Sequence, residues 1–170
     1  MTRRRRGLWV KGSGGVRSFP HYQTLSERIL MIRKGSAHWS GDLQGGGGTV
    51  STESGILAGQ KYSFGTRFED SPGTNPEELI GAAHAGCYAM ALSLELQNAG
   101  LTADSIDAQA SVSLEQVEGG FAITKIHLEV EAKIPGADAD TFAKAAEATK
   151  EGCPVSKVLA AEISLNARLV

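Results

Sequence analysis

With 170 residues, 41% of them hydrophobic and 21% charged, the chain has the composition of an ordinary soluble globular protein with one core. Its 17 basic and 19 acidic side chains leave a net charge of −2, which excludes a whole-domain electrostatic footprint for nucleic acid. No apolar run approaches the ~18 residues of a membrane span, two cysteines are too few for a disulfide scaffold, and no cysteine or histidine falls at the short spacings of a zinc site.

Residues 1–30 read as a basic N-terminal extension, rich in Gly and Ser and free of acid until Glu27. Arg3 to Arg6 are followed by no apolar stretch of signal-peptide length. They read as a solvated tail or the product of a start placed upstream of Met31, with a nucleic-acid arm as the alternative.

The domain proper spans residues 31–170. "SAHWSGDL", the glycine run Gly45 to Gly48 and "TVSTES" predict a hairpin with a flexible tip, and "YSFGTRFED" predicts a third strand carrying Arg67. The run "GGGG" has no following Lys-Ser/Thr or helix start, so it is no phosphate cradle. From Asn75 the pattern turns helical: Asn75 caps, Pro76 fits the first position, Glu77 and Glu78 suit the positive dipole end, and Gly100 stops the helix. Leu79, Ala83, Cys87, Met90 and Leu94 recur as an apolar stripe, and small residues from Gly81 to Ala89 permit close approach of another backbone. Two long strands joined at Gly119-Gly120 follow, with Ile126, Leu128, Val130 and Ala132 on one face. A helix from Asp138 or Asp140 to Gly152, a short helix in "CPVSKVLAAE" and a final strand "ISLNARLV" complete an α+β order, β-β-β-α-β-β-α-α-β, without βαβ alternation.

The two thiols pose the chemical question. Either both are small buried hydrophobes or they form a redox pair. Pro154 places Cys153 at a helix N-cap, where amides and dipole favour a thiolate, although a short side chain filling a helix corner explains it equally. Local electrostatics alone nominates Cys153 as the nucleophile. Cys87, mid-helix among apolar neighbours, would react only beside an outside cation, and Arg67 is the nearest planar donor in sequence. Glu77 lies ten residues before Cys87, ~15 Å up the axis, too far to touch the thiol but able to orient an arginine. His84, one turn above Cys87, lacks an orienting acid and reads as a packed or half-exposed histidine. His21, His38 and His127 are scattered at no metal-ligand spacing.

The motifs "GTVSTESGIL", "FGTRFED", "GTNPEELIGAAHAGCYAMALSLEL", "GFAITKI" and "GCPVSKVLAAEISL", in this order, resemble the osmotically inducible protein C (OsmC) branch of the OsmC/Ohr family of organic hydroperoxide reductases, from about Met31 to Val170. The resemblance implies an OsmC-like fold, antiparallel β-sheets wrapped around two central helices in an intertwined homodimer with the active site at the subunit interface. It implies that Cys87 is the peroxidatic cysteine, Cys153 the resolving cysteine, Arg67 the group that stabilises thiolate and peroxide, and Glu77 the residue that orients Arg67. The activity implied is a cytoplasmic, stress-responsive thiol peroxidase reducing organic hydroperoxides, and hydrogen peroxide less well, to alcohols through a Cys87 sulfenic acid and a Cys87–Cys153 disulfide. It needs no cofactor or metal, only an external thiol reductant such as a dihydrolipoyl group or another dithiol. The competing expectation is a dimeric stress protein or binding module whose thiols only pack.

Overall fold

Two three-stranded sheets and four helices make up the fold, seen in a computed structural model that describes residues 30–170. All but the last residue of the predicted basic extension lies outside the described residues, and Lys34–Val170 form one compact unit. β1 (Gly35–Ser40) pairs antiparallel with β2 (Gly47–Thr52), which pairs antiparallel with β3 (Gln60–Ser63). The glycine run serves this turn and strand: a Cβ on Gly48 would lie 2.1 Å from the His38 carbonyl oxygen and 2.6 Å from the Tyr62 ring.

The predicted third strand is corrected at Ser63, where β3 ends and a five-residue helix, α1 (Phe64–Phe68), begins. The reason is a reciprocal cap. The Thr66 amide donates to Ser63 Oγ at 3.2 Å, and the Ser63 amide donates to Thr66 Oγ1 at 2.8 Å. Period-two aromatics suggested a strand, but a satisfied helix start outweighs that pattern over so short a stretch. Arg67 therefore sits in the last turn of a helix.

α2 (Pro76–Asn98) begins as expected, with the Glu78 amide donating to Asn75 Oδ1 at 2.8 Å, and the chain leaves it through Gly100 at φ 76°. Its buried face is Gly81, His84, Tyr88, Leu92 and Leu96, and the expected stripe is corrected: Met90 and Leu94 are 74% and 55% exposed. A helix apolar on both sides gives no periodic cue to which side the core takes. By length and composition α2 would also span a membrane, contrary to the sequence expectation, but here its buried face is spent in the domain core.

β4 (Ser105–Val117) and β5 (Gly120–Lys133) form the long hairpin, and Ile126, Leu128, Val130 and Ala132 are fully buried, as the alternation predicts. α3 (Ala139–Gly152) is capped by Asp138, and α4 (Pro154–Val158) follows after Cys153. β6 (Glu162–Leu169) then pairs parallel with β5, so this sheet is mixed and one βααβ crossover exists. Two helices in a row return the chain to the end of the sheet where β5 began, which leaves only parallel pairing. Tyr88, Leu92 and Leu96 of α2 share one core cluster with Leu128 and Val130 of β5 and Phe142 and Ala146 of α3, and Tyr88 Oη donates to the Ala146 carbonyl at 2.9 Å. A Cβ on Gly81 would stand 3.0 Å from the Ala110 carbonyl, so the small residue sets the distance between α2 and β4.

Candidate active site

The two cysteines, 66 positions apart, meet where the N-terminus of α4 lies against the middle of α2: Cys153 Sγ is 2.9 Å from Cys87 Sγ, and both are free thiols. Cys153 is fully buried and Cys87 half-buried. Desolvation is the largest influence on each. For Cys87 it pushes the thiol pKa up, and sharing a proton with Cys153 adds to the rise. For Cys153 the penalty is outweighed by hydrogen bonding from Cys87, from the Ser156 and Val155 amides and from the Ser156 side chain, so the balance lies downward. The Cys153 sulfur makes no cap hydrogen bond to α4, and the lowering comes from several weak donors together. The two opposite directions make Cys153 the more acidic thiol of the pair, as the N-cap reading of Cys153 anticipates.

Beside Cys87, one turn back on α2, His84 is fully buried with Nε2 2.8 Å from Ser156 Oγ, and burial lowers its pKa, so it is neutral. Sequence reasoning missed Ser156, whose only signal is its position three residues after an N-cap.

The second cluster forms at the N-terminal end of α2. Arg67 and Glu77 pair fork to fork, with Nη2 2.6 Å from Oε1 and Nε 3.1 Å from Oε2. The guanidinium also lies 5.4 Å from the Phe68 ring centre. A cavity of about 200 Å³ opens here, lined by Trp39, Leu43, Tyr62, Phe64, Phe68 and Arg67. Its aromatic wall comes from β1, β3 and α1, separate segments whose convergence the sequence did not signal. The fold thus brings together Cys87 with Cys153 and Arg67 with Glu77. It does not bring the two pairs together within one chain, since Glu77 stands ten residues, ~15 Å, up α2 from Cys87. Among the described residues no cluster of metal-ligating side chains occurs.

What the fold and site define is an α+β protein of two small sheets that holds two free thiols in contact and, about three helical turns away, an arginine fixed by a carboxylate. Residues 68–168 match the family model for OsmC-like protein, and the chain belongs to that family. It is 61% identical over 141 residues to peroxiredoxin OsmC of Escherichia coli (strain K12), across 83% of this chain and 99% of that protein. It is 27% identical over 126 residues to the organic hydroperoxide resistance protein OhrB of Bacillus subtilis (strain 168), across 74% of this chain and 90% of that protein. The crystal structure of Bacillus subtilis OhrB superposes with a TM-score of 0.61 over 84% of this chain and all of that one.

Proposed function

We propose that this protein is a thiol peroxidase that reduces organic hydroperoxides, and hydrogen peroxide less well, to alcohols or water. The observation that carries the reading is the 2.9 Å contact between two free thiols 66 positions apart. Relatives named peroxiredoxin OsmC and organic hydroperoxide resistance protein support the same chemistry. The Cys87 thiolate attacks the terminal peroxide oxygen, the O–O bond breaks, and the alkoxide leaves as alcohol after taking a proton. Cys87 is left as a sulfenic acid. The Cys153 thiolate then attacks that sulfur, an S–S bond forms, the S–O bond breaks, and the hydroxide leaves as water. An external dithiol reduces the disulfide by two successive exchanges.

Cys87 can act first only if a cation reverses the proton bias of the isolated chain. Arg67 is that cation in our reading, fixed by Glu77, but its own chain holds it ~15 Å along α2. The reading therefore takes Arg67 of the partner subunit, in a homodimer whose seam is the exposed apolar face of α2 around Gly86, Met90 and Leu94. The aromatic cavity beside Arg67 suits an alkyl tail, which gains ~25 cal/mol per Å² of apolar surface buried. Residues 1–30 are an appendage to this unit, which acts in the cytoplasm.

The test is intact mass and thiol count before and after one equivalent of cumene hydroperoxide. Loss of two thiols with two hydrogens, prevented by Cys87→Ser, is expected. Complete burial of Cys153 favours the second reading, thiols that only pack, and unchanged mass with both thiols retained would establish it in place of the first.

A further inference from the structure

α2 and α4 meet along two rungs rather than one. Cys87 and His84 are one turn apart on α2, Cys153 and Ser156 one turn apart on α4, and residues so spaced share a helix face. The first rung is the 2.9 Å contact of the two sulfurs, and the second is the 2.8 Å contact of His84 Nε2 with Ser156 Oγ. The mechanism above uses only the first. The second is costly to build: His84 is fully buried, Ser156 is 8% exposed, and His84 Nδ1 has no hydrogen-bond partner among the described residues.

That unpartnered nitrogen fixes the direction of the contact. A buried N–H without an acceptor is rarer in folded proteins than an acceptor short of a donor, so the imidazole proton belongs on Nε2. Nε2–H then donates to Ser156 Oγ, and the Ser156 O–H is left to donate elsewhere. Its neighbour on that face is Cys153, one turn back at the N-cap of α4.

We propose that His84 and Ser156 are positioning residues for Cys153: together they hold the start of α4 against α2 and aim the serine hydroxyl at the Cys153 sulfur, keeping it within bonding reach of Cys87. The Ser156 side chain is among the groups that favour the Cys153 thiolate. The other titratable groups facing this sulfur come from α2, Cys87 and Tyr88; burial keeps Tyr88 protonated, and Glu147 of α3 acts in the same sense. The inference rests on the resolving role proposed for Cys153.

In a Cys87→Ser background Cys153 is the only thiol of the chain, and its thiolate absorbance can be titrated without any peroxide chemistry. Adding Ser156→Ala removes one hydrogen bond to a charged group, so the Cys153 pKa is expected to rise by about one unit, a roughly tenfold loss of thiolate near neutral pH. Ser156→Thr restores the hydroxyl and should titrate like the parent. His84→Gln keeps an amide donor for Ser156, and its shift should be smaller than that of Ser156→Ala. In the two-thiol protein, sulfenic acid formation on Cys87 should not slow in Ser156→Ala, since a less acidic Cys153 relaxes the bias against the Cys87 thiolate. Disulfide closure should slow about threefold, since tenfold fewer thiolates are each roughly threefold more nucleophilic. An unchanged Cys153 titration in Ser156→Ala, or failure of Ser156→Thr to restore it, overturns the inference. Absence of peroxide turnover in the wild type, with the titration shift present, would defeat the peroxidase reading and leave the positioning role of Ser156 standing.

Discussion

Replacing Glu77 by Gln tests whether Arg67 must be held to act. In the native pair the carboxylate accepts from Nε and Nη2, with the glutamate side chain 11% and the arginine 35% exposed. A desolvated charge-assisted hydrogen bond contributes ~1.5–3 kcal/mol. The exposure of Arg67 draws the pair toward the ~0–1 kcal/mol of surface ion pairs, and glutamine retains one oxygen acceptor. The net loss is then about 1 kcal/mol of stability, or about a fivefold fall in the population of the held guanidinium. Stopped-flow consumption of cumene hydroperoxide with a dithiol reductant should show kcat/KM reduced at least about fivefold, while urea unfolding shifts only slightly. Raised salt should narrow the gap, because it weakens the native pair and leaves the variant unaffected. A wild-type kcat/KM in Glu77→Gln, alongside a strong loss in Arg67→Ala, would refute the holding role of Glu77.

Other consequences are equally open to measurement. Cys87→Ser should abolish turnover, whereas Cys153→Ser should consume about one equivalent of peroxide and stall with Cys87 oxidised, as followed by intact mass. Leu94→Asp should leave the fold of the single chain intact, since Leu94 is 55% exposed there, yet shift sedimentation toward monomer and lower peroxidase activity together. Leu96→Ala removes a fully buried core side chain and should cost ~2–5 kcal/mol in urea unfolding without changing the oligomeric state. Stability should fall as pH is lowered in two stages. His84 has a folded pKa depressed by burial, so the unfolded state takes up its proton first and stability is lost as pH drops below the unfolded value of ~6.5. Asp138 and Asp42, held low chiefly by the Thr141 and Gly45 amides, stabilise the fold above their unfolded pKa, and that contribution disappears as pH falls through their depressed values. Thermal melting against pH checks both, and His84→Gln should remove the first stage.

The helices α2 and α3 and the β4–β5 hairpin were legible because their signals are local: Asn75 and Asp138 caps, Pro76, and the alternation through Ala132. The start of α1 was not, because Ser63 and Thr66 make a capping box without the usual acidic partner and the aromatics around them mimic a strand. The parallel pairing of β6 was also hidden, since strand direction depends on where the intervening helices deliver the chain. Of the four candidate residues, Cys87 touches Cys153 and Arg67 pairs with Glu77. Ser156 and the aromatic cavity were missed, having no motif of their own.

By itself the sequence determined the α+β class, the family resemblance and the chemical types available to the site, because caps, periodicity and motif spacing are written in neighbouring residues. Only the tertiary structure decided that the buried side of α2 is the His84–Tyr88–Leu92–Leu96 face and that two sulfurs 66 positions apart touch. It alone fixed Arg67 on Glu77, at the N-terminal end of α2 and away from the Cys87 of its own chain. Those outcomes depend on which faces pack and where crossovers end. They are set by burial summed over the whole core, which no local stretch of sequence encodes.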